Sequence, residues 1–263
     1  HTGHAYQIAC TRRQLGEDCA IVAVMSGHWV QGGRPAVVDK WTRARLALLG
    51  GVDLVLELPT VWAVSSAETF ARGAVDLLSL TQVVDALSFG SEYGDIGKLC
   101  QVACCLNTTR YEPLVRRFVG QGLPFAAARQ RVVNELLGQE YAALLDTPNN
   151  NLGIEYLRNL ERGGWNMGAV TVRREGAPHD SLLQPYLPAG GLDVLQGGWR
   201  GFPSLDRVER GFLACLRTRT AEDWASIPDS GAGEGLPPRL ERAGRQCRSL
   251  EEFFALAKPK HWT

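Results

Sequence analysis

Two imidazoles flank a glycine at His1-Thr2-Gly3-His4, just ahead of the helical pattern Tyr6, Ile8, Ala9, Arg12 and Arg13. The start of a helix presents free N–H groups and the positive end of its dipole, which favour an anion. Glycine admits a phosphate close to the backbone, and two imidazoles can donate to its oxygens as charge develops. Phosphate chemistry is one reading of this tetrapeptide; a solvated terminus or tag sequence is the other. A second group is Ser26-Gly27-His28-Trp29-Val30-Gln31-Gly32-Gly33-Arg34-Pro35-Ala36, followed by Asp39-Lys40-Trp41-Thr42-Arg43. It is rich in glycine, hydroxyl and amide, and exceeds the roughly two to six residues usual between a strand and a helix, as functional loops do. Asp39 and Arg43, four apart, either pair on a helix face or serve a site. Phe89-Gly90-Ser91-Glu92 offers a glycine against which adenine or ribose can lie, or else a plain turn. Asn149 and Asn150 cap a helix or read a base edge, and Arg173-Arg174 suits phosphate or an exposed ion pair. His179-Asp180 has the composition of a base and its orienter.

Such groups need a frame. Cys19–Met25, Val52–Leu58 and Val83–Phe89 are short apolar runs, each ending in turn residues. Between them lie two helical patterns. Val37–Leu49 carries Val38, Trp41, Leu46 and Leu49 on one stripe, and Ser66–Leu80 carries Phe70, Ala74, Leu77 and Leu78. This alternation predicts an α/β fold with a parallel sheet covered on both faces. Ligands of such sheets bind at the carboxyl ends of the strands, here Ser26-Gly27, Pro59-Thr60 and Gly90-Ser91-Glu92. Residues 94–145 read as a helical insertion, with breaks at Pro113 and Pro124. Pro148-Asn149-Asn150-Asn151 opens a helix over Leu152–Leu160, and Met167–Val172 is a further strand. The stretch 175–201 reads as loops. Leu205–Leu216 and Gly235–Ala257 read as helices. The expected division is a catalytic domain over 1–180 and a mainly helical region over 181–263.

The 263 residues carry 28 basic and 28 acidic side chains, with 45% hydrophobic and 21% charged residues. That composition excludes a disordered chain, and net neutrality excludes indiscriminate coating of nucleic acid. Seven cysteines with no CxxC pair predict free thiols of a reducing cytosol and no zinc site. No apolar run reaches the ~18 residues of a membrane span. The neutral total hides a bias. Asp53 to Lys98 holds seven acidic residues against Arg72 and Lys98, whereas Asn107 to Arg131 holds Arg110, Arg116, Arg117, Arg129 and Arg131 against Glu112. Arg239 to Arg248 holds four arginines against Glu241.

In order along the chain, HTGH, VMSGHWVQGGRPAVVDKWTRARLAL, GVDLVLELP, SAETFARGAVDLL, SFGSE, PNNNLGIEYL and RREGAPHD resemble the tRNA(Met) cytidine acetate ligase family, a branch of the HIGH-type nucleotidyltransferases. The resemblance is nearly continuous from His1 to about Asp180 and resumes at Glu234-Gly235-Leu236 and Lys258 to Thr263. It implies a Rossmann-like domain with a helical remainder. It also implies ATP-dependent activation of acetate as acetyl-adenylate, and transfer of the acetyl group to N4 of the wobble cytidine of elongator tRNA(Met) in the cytoplasm. His1 and His4 match the signature histidines and would stabilise the phosphates. Thr2, Gly3, Ala5, Tyr6 and Gln7 complete the ATP loop. Gly90, Asn149 or Asn150, Arg174 and the adjoining Glu175 match nucleotide-contacting positions. Ser26, Gly27, Asp39, Lys40 and Arg43 would support the substrate loop. Mg2+ is expected with ATP, without a dedicated protein site. With tRNA as partner, Arg116, Arg117, Arg129, Arg131, Arg239, Arg242 and Arg245 are expected phosphate contacts, or else a solvated helix face.

Three departures accompany the resemblance. The family has an opening strand ahead of the His-x-Gly-His turn, at the centre of its sheet, which the native protein is expected to possess. A Ser/Thr-rich segment ending in Arg, expected after His179-Asp180, reads LPAGGLDVLQGG. The family's Gln-Arg-Gly-Glu-Pro reads Gln31-Gly32-Gly33-Arg34-Pro35. The second departure keeps open a non-catalytic paralogue that binds tRNA or nucleotide.

Overall fold

A computed structural model describes residues 2–175, 188–198, 203–227 and 231–258. In chain order the elements are α1 (Thr2–Leu15), β1 (Val22–Ser26), β2 (Trp29–Val30), β3 (Arg34–Pro35), α2 (Lys40–Leu49), β4 (Leu54–Leu58), α3 (Thr60–Ala63), α4 (Ala67–Leu80) and β5 (Ala86–Ser91). Then follow α5 (Ile96–Asn107), α6 (Tyr111–Gly120), α7 (Phe125–Leu137), α8 (Gln139–Ala142), a 3-10 turn (Ala143–Asp146), α9 (Pro148–Gly163) and β6 (Gly168–Arg173). The remainder comprises α10 (Gly191–Gly198), α11 (Glu209–Thr218), α12 (Ala221–Ala225), α13 (Leu236–Gln246) and α14 (Leu250–Ala257).

The expected parallel strands are present as two pairs. β1 runs parallel to β4, with Val22 opposite Leu54 and Ser26 opposite Leu58. β5 runs parallel to β6, with Ala86 opposite Gly168 and Ser91 opposite Arg173. β2 and β3 form a short antiparallel hairpin inside the glycine-rich loop. The largest core gathers Phe89 of β5 with Leu99 and Val102 of α5, Val132 and Val133 of α7, and Ile154 and Leu157 of α9. Each large aliphatic side chain buried there contributes on the order of 1.5–3 kcal/mol.

α9 is the axis of this core and is fixed on β5 by a glycine. A Cβ at Gly153 would come within 2.4 Å of the Phe89 ring. Only hydrogen there lets the helix lie on the strand. The N-terminus of α9 consequently stands at the carboxyl end of β5.

Several local expectations shift. Pro113 lies in the first turn of α6 and Pro124 caps α7, so the breaks expected at both prolines are the points where new helices open. α2 begins at Lys40, capped by Asp39, and its expected apolar stripe is largely solvent-facing: Trp41 is 68% exposed, and Thr42 is the buried residue. The Lys40 ammonium lies 5.1 Å from the centroid of the Trp41 ring, a cation–π contact at the surface. Within the stretch read as loops, Gly191–Gly198 is helical and packs on α2. The chain divides into compact units at 1–200 and 201–263. The expected boundary at 180 falls earlier because α10 belongs to the first unit. The second unit has its own core of Leu213, Leu216, Ala243, Cys247, Leu250 and Phe253. All seven cysteines are free.

Candidate active site

α1 is the first component of the site. Thr11 Oγ1 lies 2.6 Å from Ser88 Oγ, and Gln7 Nε2 donates to the Ser88 carbonyl at 3.2 Å. Gln7 also reaches Gly90: a Cβ there would lie 3.9 Å from Gln7 Oε1 and 3.6 Å from Arg174 Cγ. From Thr11 to Gln7 the helix advances along β5 toward its carboxyl end. Its first turn, with Gly3 and the exposed His4, is directed past that end. The first turn contains no acidic residue, so nothing there opposes an anion. Thr2 opens the helix, and Ala5, half-buried, closes its first turn. His1 lies outside the described residues, as do His179 and Asp180.

Gly90 forms the floor. Its missing side chain leaves a gap between Gln7 and Arg174 that a Cβ would narrow. Arg174 is held by its backbone N–H, which donates to the Ser91 carbonyl at 2.9 Å. Ser91 is fully buried and bonds Thr171 Oγ1 at 2.7 Å. Beside it, the Tyr6 hydroxyl shares hydrogen bonds first with Cys10 and then with Glu175, which push its pKa up to about 12. Gln7, Gly90, Arg174, Tyr6 and Glu175, distant in sequence, therefore converge at one strand end.

The opposite wall is the start of α9. Its free N–H groups are filled by Glu92: Asn149 N–H donates to Oε1 at 3.2 Å, Asn150 N–H to Oε2 at 2.8 Å, and Asn149 Nδ2 to Oε1 at 2.6 Å. Burial works to raise the Glu92 pKa, but these hydrogen bonds outweigh it and the net shift is downward. Neither asparagine side chain caps the helix. Asn150 is buried and its Oδ1 accepts from Tyr93 N–H at 3.1 Å, a structural role. Asn149 is half-buried and remains at the edge of the site. Glu92 lies at the strand end where ligands are expected, but no role was expected of it; the signal was an acid two positions beyond the strand-end glycine.

The second strand end is built differently. Asp39 does not pair with Arg43. Its carboxylate caps α2, accepting from Trp41 N–H and Thr42 N–H at 3.0 Å and from Thr42 Oγ1 at 2.7 Å. The Thr42 contacts foremost hold its pKa below the ordinary value. Arg43 Nη1 instead donates to the carbonyls of Ser26 and Gly27, at 2.7 and 2.8 Å, fixing the end of β1. Lys40 pairs with Glu57 at 2.6 Å.

The arginine-rich segments separate into classes. Arg116 forms an exposed pair with Glu112, and Arg117 one with Glu135. Arg131 is exposed. Arg129 is not on that surface: its Nη2 lies 2.6 Å from Glu155 Oε1, and Glu155 is fully buried. Arg158 completes a buried cluster that sequence reading missed, though charges within the apolar stripe of α9 signalled it. In the second unit Arg239, Arg242 and Arg245 recur along α13, opposite the buried Ala243 and Gly244, and Arg245 pairs with Glu241. Among the described residues no cluster of three His, Cys, Asp or Glu side chains gathers as for a metal, and no helix is long and apolar enough to cross a membrane.

A parallel strand end with a helix start aimed past it, and a glycine floor between amide and guanidinium, define a nucleotide-binding α/β site. The HIGH Nucleotidyl Transferase family matches residues 1–185. The tRNA(Met) cytidine acetate ligase of Caldanaerobacter subterraneus subsp. tengcongensis is 45% identical, with 100% of this chain and 72% of the relative covered. That of Thermoanaerobacter sp. is 34% identical with the same coverage. Apo Thermotoga maritima TmcAL superposes with a TM-score of 0.88 at 31% identity, over 100% of this chain and 69% of that one. The same protein bound with alpha-thio ATP gives 0.87 at 32%. The chain belongs to the HIGH nucleotidyltransferases and, within them, to the tRNA(Met) cytidine acetate ligase family of enzymes.

Proposed function

We propose that this protein activates acetate with ATP and acetylates N4 of the wobble cytidine of elongator tRNA(Met). The observation that carries the reading is the convergence of Gln7, Gly90 and Arg174 below the first turn of α1. A Cβ at Gly90 would fill part of that cradle, so the residues present suit a nucleotide lying against the backbone. His4, with His1, stabilises charge on the phosphates. The Thr2-Gly3 backbone approaches them closely, and Ala5, Tyr6 and Gln7 continue the loop. Asn149 rather than Asn150 faces the nucleotide, since Asn150 is committed to Tyr93. Arg174 supplies a guanidinium and Glu175 holds Tyr6 beside it. Arg43 keeps Ser26-Gly27 in place at the neighbouring strand end, while Asp39 caps the helix that carries it and Lys40 pairs with Glu57. Mg2+ would enter on the ATP phosphates and offset their charge.

In the first step an acetate oxygen attacks the α-phosphorus. The bond to the bridging oxygen breaks, and pyrophosphate leaves with that electron pair. In the second step the cytidine N4 attacks the acetyl carbonyl. AMP leaves with the C–O bonding pair and the nitrogen loses a proton. Charge stabilisation and positioning carry both steps, without a covalent enzyme intermediate. Seven free thiols fit action in the reducing cytoplasm. The exposed arginines Arg116, Arg117, Arg131, Arg242 and Arg245, with the half-buried Arg239, offer phosphate contacts.

The test is incubation with ATP, acetate and unmodified elongator tRNA(Met), followed by mass spectrometry of the digested RNA. Pyrophosphate release with N4-acetylcytidine is expected. ATP binding without acetyl on the tRNA would overturn the reading and leave a binding protein.

A further inference from the structure

Beside Asn149 lies a cleft to which the residue roles above assign nothing. It encloses about 500 Å³, and Gln31, Phe125, Arg129, Asn149, Asn151 and Glu155 line it, with small and apolar side chains between. Its deep wall is charged. Arg158 Nη1 contacts both Glu155 oxygens, at 3.0 and 2.7 Å, and Arg129 Nη2 approaches Oε1 at 2.6 Å. Glu68 lies 3.8 Å from Arg158 and 3.4 Å from Arg162. Three guanidiniums thus face two carboxylates. Arg129 Nε is buried with no hydrogen-bond acceptor, while the side chain keeps 14% of its surface exposed. Buried donors are nearly always satisfied, and one left open at a cleft wall suits an acceptor brought by a ligand. At the mouth, Phe125 begins α7 and is 41% exposed.

A ring to stack on, an arginine Nε lacking an acceptor, and amides at the rim match a flat heterocycle with an acceptor edge. Acetate would leave most of this volume empty and use neither the ring nor the amides. The pyrimidine reading fits each feature, because cytosine O2 and N3 accept while its exocyclic amine donates. A base acylated on its edge amine must first leave its stack. We propose that this cleft receives the unstacked cytosine of the acceptor RNA, with Phe125 against its face and Arg129 as a positioning residue on its O2–N3 edge. The inference rests on the ligase reading. Asn149 belongs to both the cleft and the nucleotide wall, which brings amine and activated acetyl group to adjacent sites.

Two variants test it, Phe125→Ala and Arg129→Lys, the second keeping a charge opposite Glu155. Each is assayed for acetate-dependent ATP–pyrophosphate exchange, which needs no RNA, and for acetyl transfer to tRNA. Loss of base stacking should raise the RNA KM about tenfold, while KM for ATP and acetate in exchange changes less than about twofold. For Arg129→Lys, a purely structural role would lower the thermal midpoint without moving the RNA KM. Exchange falling in parallel with transfer would give the cleft to acetate or adenine, and an unchanged RNA KM would also overturn the proposal. A stem-loop RNA with a single 5-iodocytidine at the acceptor position, photocrosslinked to the wild-type protein, decides the matter without turnover. A crosslink to Phe125 or another residue lining the cleft supports it, and one elsewhere contradicts it. If wild type shows no exchange, the ligase reading fails and the crosslink alone judges the cleft.

Discussion

Two helix starts stand at the carboxyl end of β5, and they are not equivalent. Both α1 and α9 turn free N–H groups and a positive dipole end toward the site. The start of α9 is already filled by the Glu92 carboxylate, bound by the amides of Asn149 and Asn150. The first turn of α1 has no acidic side chain and carries Gly3 and His4. A helix start binds a phosphate only where the chain has not supplied its own anion. The proposed function accordingly assigns the phosphates to α1 and leaves α9 to shape the nucleoside side.

The comparison can be broken most severely at His4. His4→Ala should lower acetate-dependent pyrophosphate exchange about 10²-fold or more, the scale for losing one preorganised donor. Its thermal midpoint should stay at the wild-type value because His4 is exposed. An unchanged exchange rate would remove His4 from the reaction. Glu92→Ala strikes the other helix. It strips the α9 amides of their acceptor and should cost about 1–3 kcal/mol in urea unfolding. No loss of stability would mean that Glu92 is not the anion holding α9.

Gly90→Ala sharpens the comparison on the α1 side. The added methyl meets Arg174 at ordinary contact distance, so the fold tolerates it. The ATP KM should nevertheless rise about tenfold if the nucleotide lies on that floor, an effect of roughly 1.4 kcal/mol. The smallest effect is in acid. Glu92 has a folded pKa below its ordinary 4.5, so its contribution is fully present above the unfolded value and fades as pH falls through the folded one. The stability gap between wild type and Glu92→Gln should be constant above about pH 5 and close below 4.5. A gap that widened in acid would reverse the sign of the shift.

The strands and the α/β order were legible because buried strands are short apolar runs closed by turn residues. The convergence of Gln7, Gly90 and Arg174 was reached through family resemblance, since spacing alone does not bring residues 7, 90 and 174 together. Glu92 as the cap of α9 was not legible, because the acid and the amides it binds lie 57 and 58 residues apart. The capping role of Asp39 was not legible for a related reason. Spacing of four suggested a pair with Arg43, but a carboxylate at a helix start has amides nearer at hand. Arg129 reads as one of a basic run, and only the packing of α7 on α9 reveals that it meets a buried glutamate.

The most direct measurement is a crystal structure with a non-hydrolysable ATP analogue. The α-phosphate should lie within hydrogen-bond distance of His4 and the first amides of α1, with Glu92 still on Asn149 and Asn150. Phosphates seated on the start of α9, with Glu92 displaced, would contradict the account.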